Sequence, residues 1–500
     1  MRLPMKSWKL RRFSTQLGRV LIIAATACSF KATAADLPRK SLDALRAAGI
    51  PQASVAAWVQ EVGAARPSIS LHAEEPMNPA SVMKLVTTYA ALELLGPAYQ
   101  WKTEAYLDGE QLLLKGYGDP KLNYESFWML LRNLRGRGLR EMRGDIVVDR
   151  SYFAPTPNGA FDTELFRPYN VTPDALLVNF KSLRFTFVPE LDKSVRVFAE
   201  PALPGLEVVN SLKLGNGACP DGNRAFRELI QASFQARPPR ATFSGVYPLG
   251  CGERDLNVAL HEPLDYVGAM IRQLWAEMGG TWEERNGRPG SVREGTASPN
   301  ARLVYVHESE ALAEIVRDIN KFSNNVMARQ LFLTIGAERG GPPARAEEAS
   351  RAIREWVAAK KIAAPELVLE NGSGLSRVER ISARHLGQLL QAAWYSPVMP
   401  EFVSSLPVVA ADGTMRKRLR GERIAGHAHV KTGLLSDARA IAGFVLDRQG
   451  RRHVVVMIAN HPRAPQADAA MDALLEWIYD SPTSPARPIT NRPVSSPRRP

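Results

Sequence analysis

The stretch ASVMKLVTTYAALELL, residues 80–95, has the apolar pattern of a helix that is buried on most sides, and Gly96 and Pro97 end it. Its first turn nevertheless carries two polar residues, Ser81 and Lys84. Residues three positions apart on a helix lie on one face, about one turn from each other. The stretch therefore predicts a buried helix that presents a serine beside a lysine.

This pair has the chemistry of a nucleophile and its base. A serine hydroxyl needs a base to attack, and a lysine can serve only where burial and nearby positive charge lower its pKa. Backbone N–H groups at a helix start lack intrahelical partners, so the N–H of Ser81 can stabilise a developing oxyanion. The alternative is an ordinary helix start, with Ser81 as the N-cap and Lys84 at the surface.

A second polar stretch, SNN at 323–325, lies within the helical pattern that runs from 309 to 336. Ser323 would supply a second hydroxyl, able to pass a proton to a leaving amine. Asn325 would supply an amide that binds Lys84 and the substrate. A polar turn between two apolar residues is the alternative.

A third stretch, KTG at 431–433, falls on a predicted strand over 425–432. The charge of Lys431 and the hydroxyl of Thr432 suit a substrate carboxylate, and Gly433 lets a substrate chain lie against the strand. The N–H of Leu434 is the expected second oxyanion donor. The alternative is an exposed edge strand whose lysine prevents aggregation.

The chain between the first two stretches differs in character from its flanks. Short β-like segments separated by turn residues continue to about residue 299, whereas the flanks contain helices and a terminal antiparallel sheet. We therefore expect an α/β protein with one domain of antiparallel sheet flanked by helices, built from 35–102 and 300–480. A large β-rich region of two nested subdomains, 103–299, is inserted in it.

The two ends of the chain are predicted not to belong to the folded body. Residues 1–34 combine seven basic residues and no acidic ones with a short apolar run and a small-residue site, as in a signal peptide cleaved after Ala34. That run is too short to remain as a transmembrane anchor. Residues 481–500 contain six prolines and are expected to be disordered.

The formal net charge of +13 is concentrated at these ends. The leader carries seven of the positive charges and the tail carries four arginines without an acidic residue, which leaves +2 for the body. A nearly neutral body gives no argument for nucleic-acid binding. We expect no nucleic-acid partner.

Cysteine usage is sparse. Without the leader and its Cys28, the cysteines are Cys219 and Cys251. Two cysteines in an exported protein most simply form one disulfide, and two free thiols are the alternative. The sequence has none of the common metal or nucleotide motifs, so no cofactor is expected.

The three stretches, in this order, resemble the active-site motifs of the class C low-molecular-mass penicillin-binding proteins, the D-alanyl-D-alanine carboxypeptidase and endopeptidase family. The 242 residues between Ser81 and Ser323 are the most specific signal, because related enzymes without an insertion carry these motifs much closer together. The resemblance covers about 42–479. It includes GYGDP at 116–120, GDIVVD at 144–149, NGSGLSR at 371–377, LP at 406–407 and DGT at 412–414.

This resemblance implies the β-lactamase and transpeptidase-like fold and a reaction on peptidoglycan in the periplasm. Ser81 would attack the penultimate D-alanine carbonyl of a stem peptide while Lys84 accepts its proton. The oxyanion would lie between the N–H groups of Ser81 and Leu434, and Ser323 would help to protonate the leaving D-alanine. A D-alanyl-diaminopimelate cross-link would be cleaved in the same way, and β-lactam antibiotics would acylate Ser81.

The resemblance also suggests that Asp149 reads the free end of diaminopimelate, with a simple turn after a strand as the alternative. Two residues depart from the family pattern. Asn324 stands where aspartate is common, and Arg329 stands where an acidic residue is common. Neither position carries a catalytic role.

Two other functions use the same motifs. A serine β-lactamase would need a further base for fast deacylation, and the long insertion between the first two motifs argues against this function. A catalytically inactive envelope-binding protein would not need the six polar motif residues. These are Ser81, Lys84, Ser323, Asn325, Lys431 and Thr432.

Overall fold

The computed structural model describes residues 36–155, 161–283 and 290–480. The predicted signal peptide, 1–34, and the predicted disordered tail, 481–500, lie outside the described residues. Within those ranges, no helix has both the length and the apolar content that crossing a bilayer requires.

Helices occupy both ends of the described chain and are sparse in the middle. They are α1 Arg39–Ala47, α2 Lys84–Leu94, α3 Tyr124–Gly136, α4 Asn223–Leu229, α5 Pro263–Glu277, α6 Leu312–Phe322, α7 Asn325–Gly340, α8 Ala346–Ala359, α9 Ala383–Trp394, α10 Met399–Ser405 and α11 Asp468–Asp480.

Most strands lie between α2 and α6. The strands are β1 Val55–Glu61, β2 Ile69–Leu71, β3 Lys102–Asp108, β4 Gln111–Gly116, β5 Glu141–Arg143, β6 Ile146–Asp149, β7 Leu183–Pro189, β8 Val195–Glu200, β9 Glu207–Gly215, β10 Ser233–Gln235, β11 Arg240–Pro248, β12 Arg254–Val258, β13 Thr281–Glu283, β14 Val292–Glu294, β15 Arg302–Glu308, β16 Ala428–Leu434, β17 Ala438–Leu446 and β18 Arg452–Asn460.

One five-stranded antiparallel sheet joins the two ends of the chain, in the order β16-β17-β18-β1-β2. Alternate residues of its central strands enter two different cores. Val454 and Val456 pack with α2, α6 and α7, whereas Val455 packs with α1 and α11. Since both faces are covered, these strands read as continuous apolar runs rather than as alternating ones.

Helix α2 is the centre of the larger of these two cores. Nine of its residues are buried, among them Tyr89, whose ring contacts the rings of Trp356 and Phe402. A helix covered on almost every side has no room for a solvated lysine. The buried amine of Lys84, in the first turn of this helix, therefore needs hydrogen-bond partners from the protein itself.

The inserted region has its own core and four sheets within the described residues. The largest has the order β14-β6-β4-β3-β15 and is mixed, because β4, β6 and β14 run parallel. Strands β3 and β15 pair antiparallel although about 200 residues separate them. These two strands lead into and out of the region, so we propose that it extends from Lys102 to Glu308.

The insertion is joined to helix α7 by polar side chains. Gln330 exchanges two hydrogen bonds with the backbone of Asp174, at 2.9 and 2.8 Å. Further along the helix, the Glu338 carboxylate accepts hydrogen bonds from the hydroxyl of Tyr152, in the insertion, and from that of Tyr99, just before it. These contacts fix the helix that begins at Asn325.

The structure corrects one prediction of secondary structure. The single helix expected over 309–336 is two helices, because α6 ends at Phe322 and Ser323 adopts a left-handed conformation with φ of 57°. The side chain of Asn324 then caps α7 by accepting a hydrogen bond from the N–H of Met327. Ser323 and Asn324 therefore form the turn between the two helices, and Asn325 is the first residue of α7.

Cys219 and Cys251 form a disulfide in the structure, with an S–S distance of 2.09 Å. The bond closes a loop of the inserted region between β9 and β12. It leaves no free thiol among the described residues, since Cys28 lies outside them.

Candidate active site

The fold brings the three polar stretches together. The Nζ atom of Lys84 lies 3.1 Å from Oγ of Ser81 and 2.6 Å from Oδ1 of Asn325. On the other side, Nζ of Lys431 donates to Oγ of Ser323 over 2.8 Å. Residues that are up to 350 positions apart in sequence thus form one continuous cluster.

Ser81 lies in a short 3₁₀ turn, Ala80–Met83, that leads into α2. Ala80 has a positive φ of 47°, and its N–H donates to the side chain of Asn78 over 2.9 Å. The Ser81 side chain makes no capping hydrogen bond and is partly exposed. The N-cap alternative therefore does not describe this serine, whose hydroxyl faces Lys84.

Lys84 has no exposed surface, which excludes the surface-lysine alternative. Burial, reinforced by the positive charge of Lys431, lowers the pKa of Lys84 well below its ordinary value. Glu379 opposes this shift and Arg329 adds to it. A lysine in such surroundings can give up a proton and act as a base near neutral pH.

The turn at SNN explains how two neighbouring residues reach different lysines. Ser323 ends α6 in its left-handed conformation, and Asn325 starts α7. The first side chain reaches Lys431 and the second reaches Lys84. The backbone does form a polar turn here, as the alternative predicts, but this turn also places the side chains of Ser323 and Asn325 in the cluster.

Lys431 lies on β16, which is an edge strand of the sheet, yet its side chain is fully buried. Burial, with the positive charge of Arg439, lowers the pKa of Lys431 to about 7. A lysine that protects an edge must be exposed, so that alternative fails. The neighbouring Thr432 hydroxyl lies 2.9 Å from the hydroxyl of Thr414.

Gly433 marks a close approach between the strand and the serine. A Cβ atom at this position would lie 2.5 Å from the carbonyl oxygen of Pro79 and 3.1 Å from the backbone nitrogen of Ser81. Any side chain would therefore push β16 away from the turn that carries the serine. The next residue, Leu434, has a half-exposed side chain.

The segment NGSGLSR at 371–377, which so far contributed only to the family resemblance, also lies in the site. The backbone carbonyl of Ser373 accepts a hydrogen bond from Nζ of Lys84. Gly374 has φ of 76°, and a Cβ there would collide with the carbonyl of Ala80. The sequence reasoning missed this contact, although the glycine spacing in NGSGLSR was a signal of close backbone approach.

Asp149 is the last residue of β6 and is buried. Its Oδ1 atom accepts a hydrogen bond from the N–H of Ser151 over 2.9 Å, and its Oδ2 atom lies 3.9 Å from Nζ of Lys115. This is the geometry of a turn after a strand. No contact among the described residues joins Asp149 to the three motifs.

The arrangement has the parts of an acyl-transfer site. It holds a nucleophilic hydroxyl, a buried lysine with a lowered pKa, a second hydroxyl bound to a second buried lysine, and a glycine that keeps a strand close to the serine N–H. Such sites attack a carbonyl and stabilise the oxyanion that forms.

Known proteins match this chain over most of its length. The sequence profile described as the D-Ala-D-Ala carboxypeptidase 3 (S13) family matches residues 39–479. A D-alanyl-D-alanine carboxypeptidase of Actinomadura sp. (strain R39) is 26% identical over 415 residues, which cover 80% of this chain and 76% of that protein. The D-alanyl-D-alanine carboxypeptidase DacB of Haemophilus influenzae is 22% identical, over 77% of this chain and 80% of its own length.

The crystal structure of penicillin binding protein 4 (dacB) from Haemophilus influenzae superimposes with a TM-score of 0.71. The match covers 88% of this chain and 99% of that chain at 19% identity. This likeness concerns the fold, and it confirms the predicted α/β class with its transpeptidase-like domain. The profile match over nearly the whole described chain confirms the predicted family, and the chain belongs to the D-Ala-D-Ala carboxypeptidase 3 (S13) family.

Proposed function

We propose that this protein is a serine-type D-Ala-D-Ala carboxypeptidase and D-alanyl-diaminopimelate endopeptidase that acts on peptidoglycan stem peptides through an acyl-enzyme on Ser81. The observation that carries the proposal is the position of Lys84, whose Nζ lies within hydrogen-bond distance of Ser81 Oγ while the side chain is fully buried. The carboxypeptidase names of the relatives support the same chemistry.

Acylation begins when neutral Lys84 takes the hydroxyl proton of Ser81. The Oγ atom attacks the carbonyl carbon of the penultimate D-alanine, and the oxyanion lies between the N–H groups of Ser81 and Leu434. The C–N bond then breaks, and the proton that Lys84 accepted passes through the Ser323 hydroxyl to the leaving nitrogen, so that Lys84 is neutral again. The products are an ester on Ser81 and free D-alanine, or the released partner strand when a cross-link is cut.

The substrate carboxylate is bound by Lys431 and Thr432, which lie beside Ser323 and together favour a peptide with a free C-terminus at this point. Water then hydrolyses the ester with Lys84 as the base. A β-lactam forms the same ester, but its leaving group stays attached, so that the adduct hydrolyses slowly. Because the substrate lies outside the cytoplasmic membrane, we place the protein in the periplasm.

Digestion of purified cross-linked peptidoglycan, followed by mass analysis of the products, tests this proposal. We expect free D-alanine and resolved cross-links from the wild-type protein, and neither product from Ser81→Ala. Ser70→Ala, which removes an exposed hydroxyl on β2, is the matched control and should digest normally. Equal digestion by Ser81→Ala and wild type would contradict the proposal.

A further inference from the structure

Glu379 is a fully buried carboxylate outside the three motifs. Its Oε1 atom accepts hydrogen bonds from the N–H groups of Glu370, Asn371 and Gly372, at 3.1, 2.9 and 2.8 Å. Its Oε2 atom accepts one from Gly374 at 2.9 Å. One side chain thus binds four backbone donors of a single segment, residues 370–375, which we call the acceptor loop.

The acceptor loop contacts the catalytic pair directly. The carbonyl of Ser373, at its centre, accepts from Nζ of Lys84. The carbonyl of Gly372 accepts from the Thr87 hydroxyl over 2.7 Å, which ties the loop to α2 one turn beyond the lysine. At Gly374 the loop passes so close to Ser81 that a Cβ would lie 2.7 Å from the serine nitrogen.

The three hydrogen-bond partners of Lys84 play different parts when its amine is neutral. An ammonium group has three N–H donors, and here they point to Ser81 Oγ, Asn325 Oδ1 and the Ser373 carbonyl. When the amine is neutral, two N–H groups can stay on the amide and carbonyl oxygens, and the lone pair then faces the serine. The Ser373 carbonyl therefore orients the base as well as binding it.

We infer that Glu379 is a positioning residue, which folds the acceptor loop so that the Ser373 carbonyl holds the amine of Lys84 against Ser81. The inference rests on the proposed function, because it needs Lys84 to act as the base. Glu379 touches neither the serine nor the lysine in any contact among the described residues. It acts through four backbone N–H groups.

Glu379 also contributes charge. The charged groups that act on Lys84 are Lys431 on β16 and Arg329 on α7, which lower its pKa, and Glu379, which raises it. Arg329 lies one helical turn after Asn325 and is buried, and its Nε atom has no hydrogen-bond partner among the described residues. Glu379 and Arg329 therefore act on the base with opposite sign.

Glu379→Gln tests the inference, since an amide cannot accept at both ends and must set an NH₂ group against a backbone N–H. We expect the second-order rate of acylation by a fluorescent penicillin to fall about 10-fold to 100-fold. The rate of acylation should rise with pH as Lys84 loses its proton. Without the Glu379 charge the pKa of Lys84 is lower, so this rise should move to lower pH.

Arg329→Gln removes the opposing charge and should move the rise to higher pH. Glu347→Gln is the matched control, because it changes an exposed carboxylate on α8 outside the acceptor loop, and it should retain the wild-type rate. A wild-type rate in Glu379→Gln, or a slower rate with an unmoved pH profile, would overturn the inference and leave Glu379 a structural residue.

If Glu379→Gln does not fold, Glu379→Asp tests the positioning role of Glu379 instead. This variant keeps the charge but withdraws both oxygens by one methylene, so a slower acylation with an unmoved profile is expected, and the wild-type rate would overturn the inference. The Ser81→Ala variant distinguishes the two proposals. If it still reacts with penicillin, the proposed function itself fails, whatever the Glu379 variants do.

Discussion

Replacing Lys84 by methionine is expected to slow acylation of Ser81 by about 10²-fold to 10⁴-fold, which is the usual contribution of a general base. Methionine fills a similar volume without an amine, so the serine hydroxyl has nothing to accept its proton. Stopped-flow measurement of acylation by a chromogenic β-lactam gives the rate constant directly.

Stability should respond differently from activity in this variant. Burying an amine costs free energy, so an apolar residue of similar size at Lys84 should leave the melting temperature unchanged or raise it. Lys40→Met, at an exposed position on α1, is the matched control and should acylate normally. Acylation by Lys84→Met within 10-fold of the wild-type rate would show that another group is the base.

Replacing Gly433 by alanine is expected to slow acylation by about 10²-fold to 10³-fold, as removal of one oxyanion donor does. The added Cβ would lie 2.5 Å from the Pro79 carbonyl, so β16 must move away from Ser81. The N–H groups of Ser81 and Leu434 would then no longer converge on one oxygen. The same chromogenic assay measures the loss.

Gly136→Ala is the control for this substitution, because a Cβ at the end of α3 would meet only the end of the flexible Arg132 side chain, 3.7 Å away. It should leave the acylation rate unchanged. If Gly433→Ala acylates as fast as Gly136→Ala while its circular dichroism spectrum is native, the strand does not supply an oxyanion donor.

The terminal sheet and most helices could be predicted because their apolar patterns are local. The strand predicted over 425–432 corresponds to β16, and the buried helix predicted over 80–95 corresponds to the 3₁₀ turn Ala80–Met83 followed by α2. By contrast, the pairing of β3 with β15 joins segments about 200 residues apart. No local pattern specifies such a register, since it depends on the core of the inserted region.

The break at Ser323 could not be predicted from the apolar pattern, which continues through it. A serine has no strong preference for a left-handed backbone, and this conformation costs free energy. It is stabilised here by tertiary contacts, including the hydrogen bond from Lys431 to the Ser323 hydroxyl. The backbone conformation of the SNN motif therefore depends on its tertiary partners and not on its sequence alone.

The structure places the three motifs side by side around Ser81, and each carried a sequence signal because it combines polar residues with an apolar setting. Glu379 has no such signal. It stands between Val378 and Arg380 in the mixed stretch VERIS, residues 378–382, and its burial depends on four N–H groups that a loop with two left-handed glycines turns towards it. That geometry exists only once the loop is folded.

The central claim is that Ser81 forms a long-lived acyl-enzyme, and intact-protein mass spectrometry with penicillin tests it most directly. We predict one covalent adduct of penicillin mass, located by peptide mapping on Ser81, that persists for minutes or longer. It should be absent from Ser81→Ala. An adduct on another residue, no adduct, or release of hydrolysed penicillin in well under a second, as in a β-lactamase, would contradict the account.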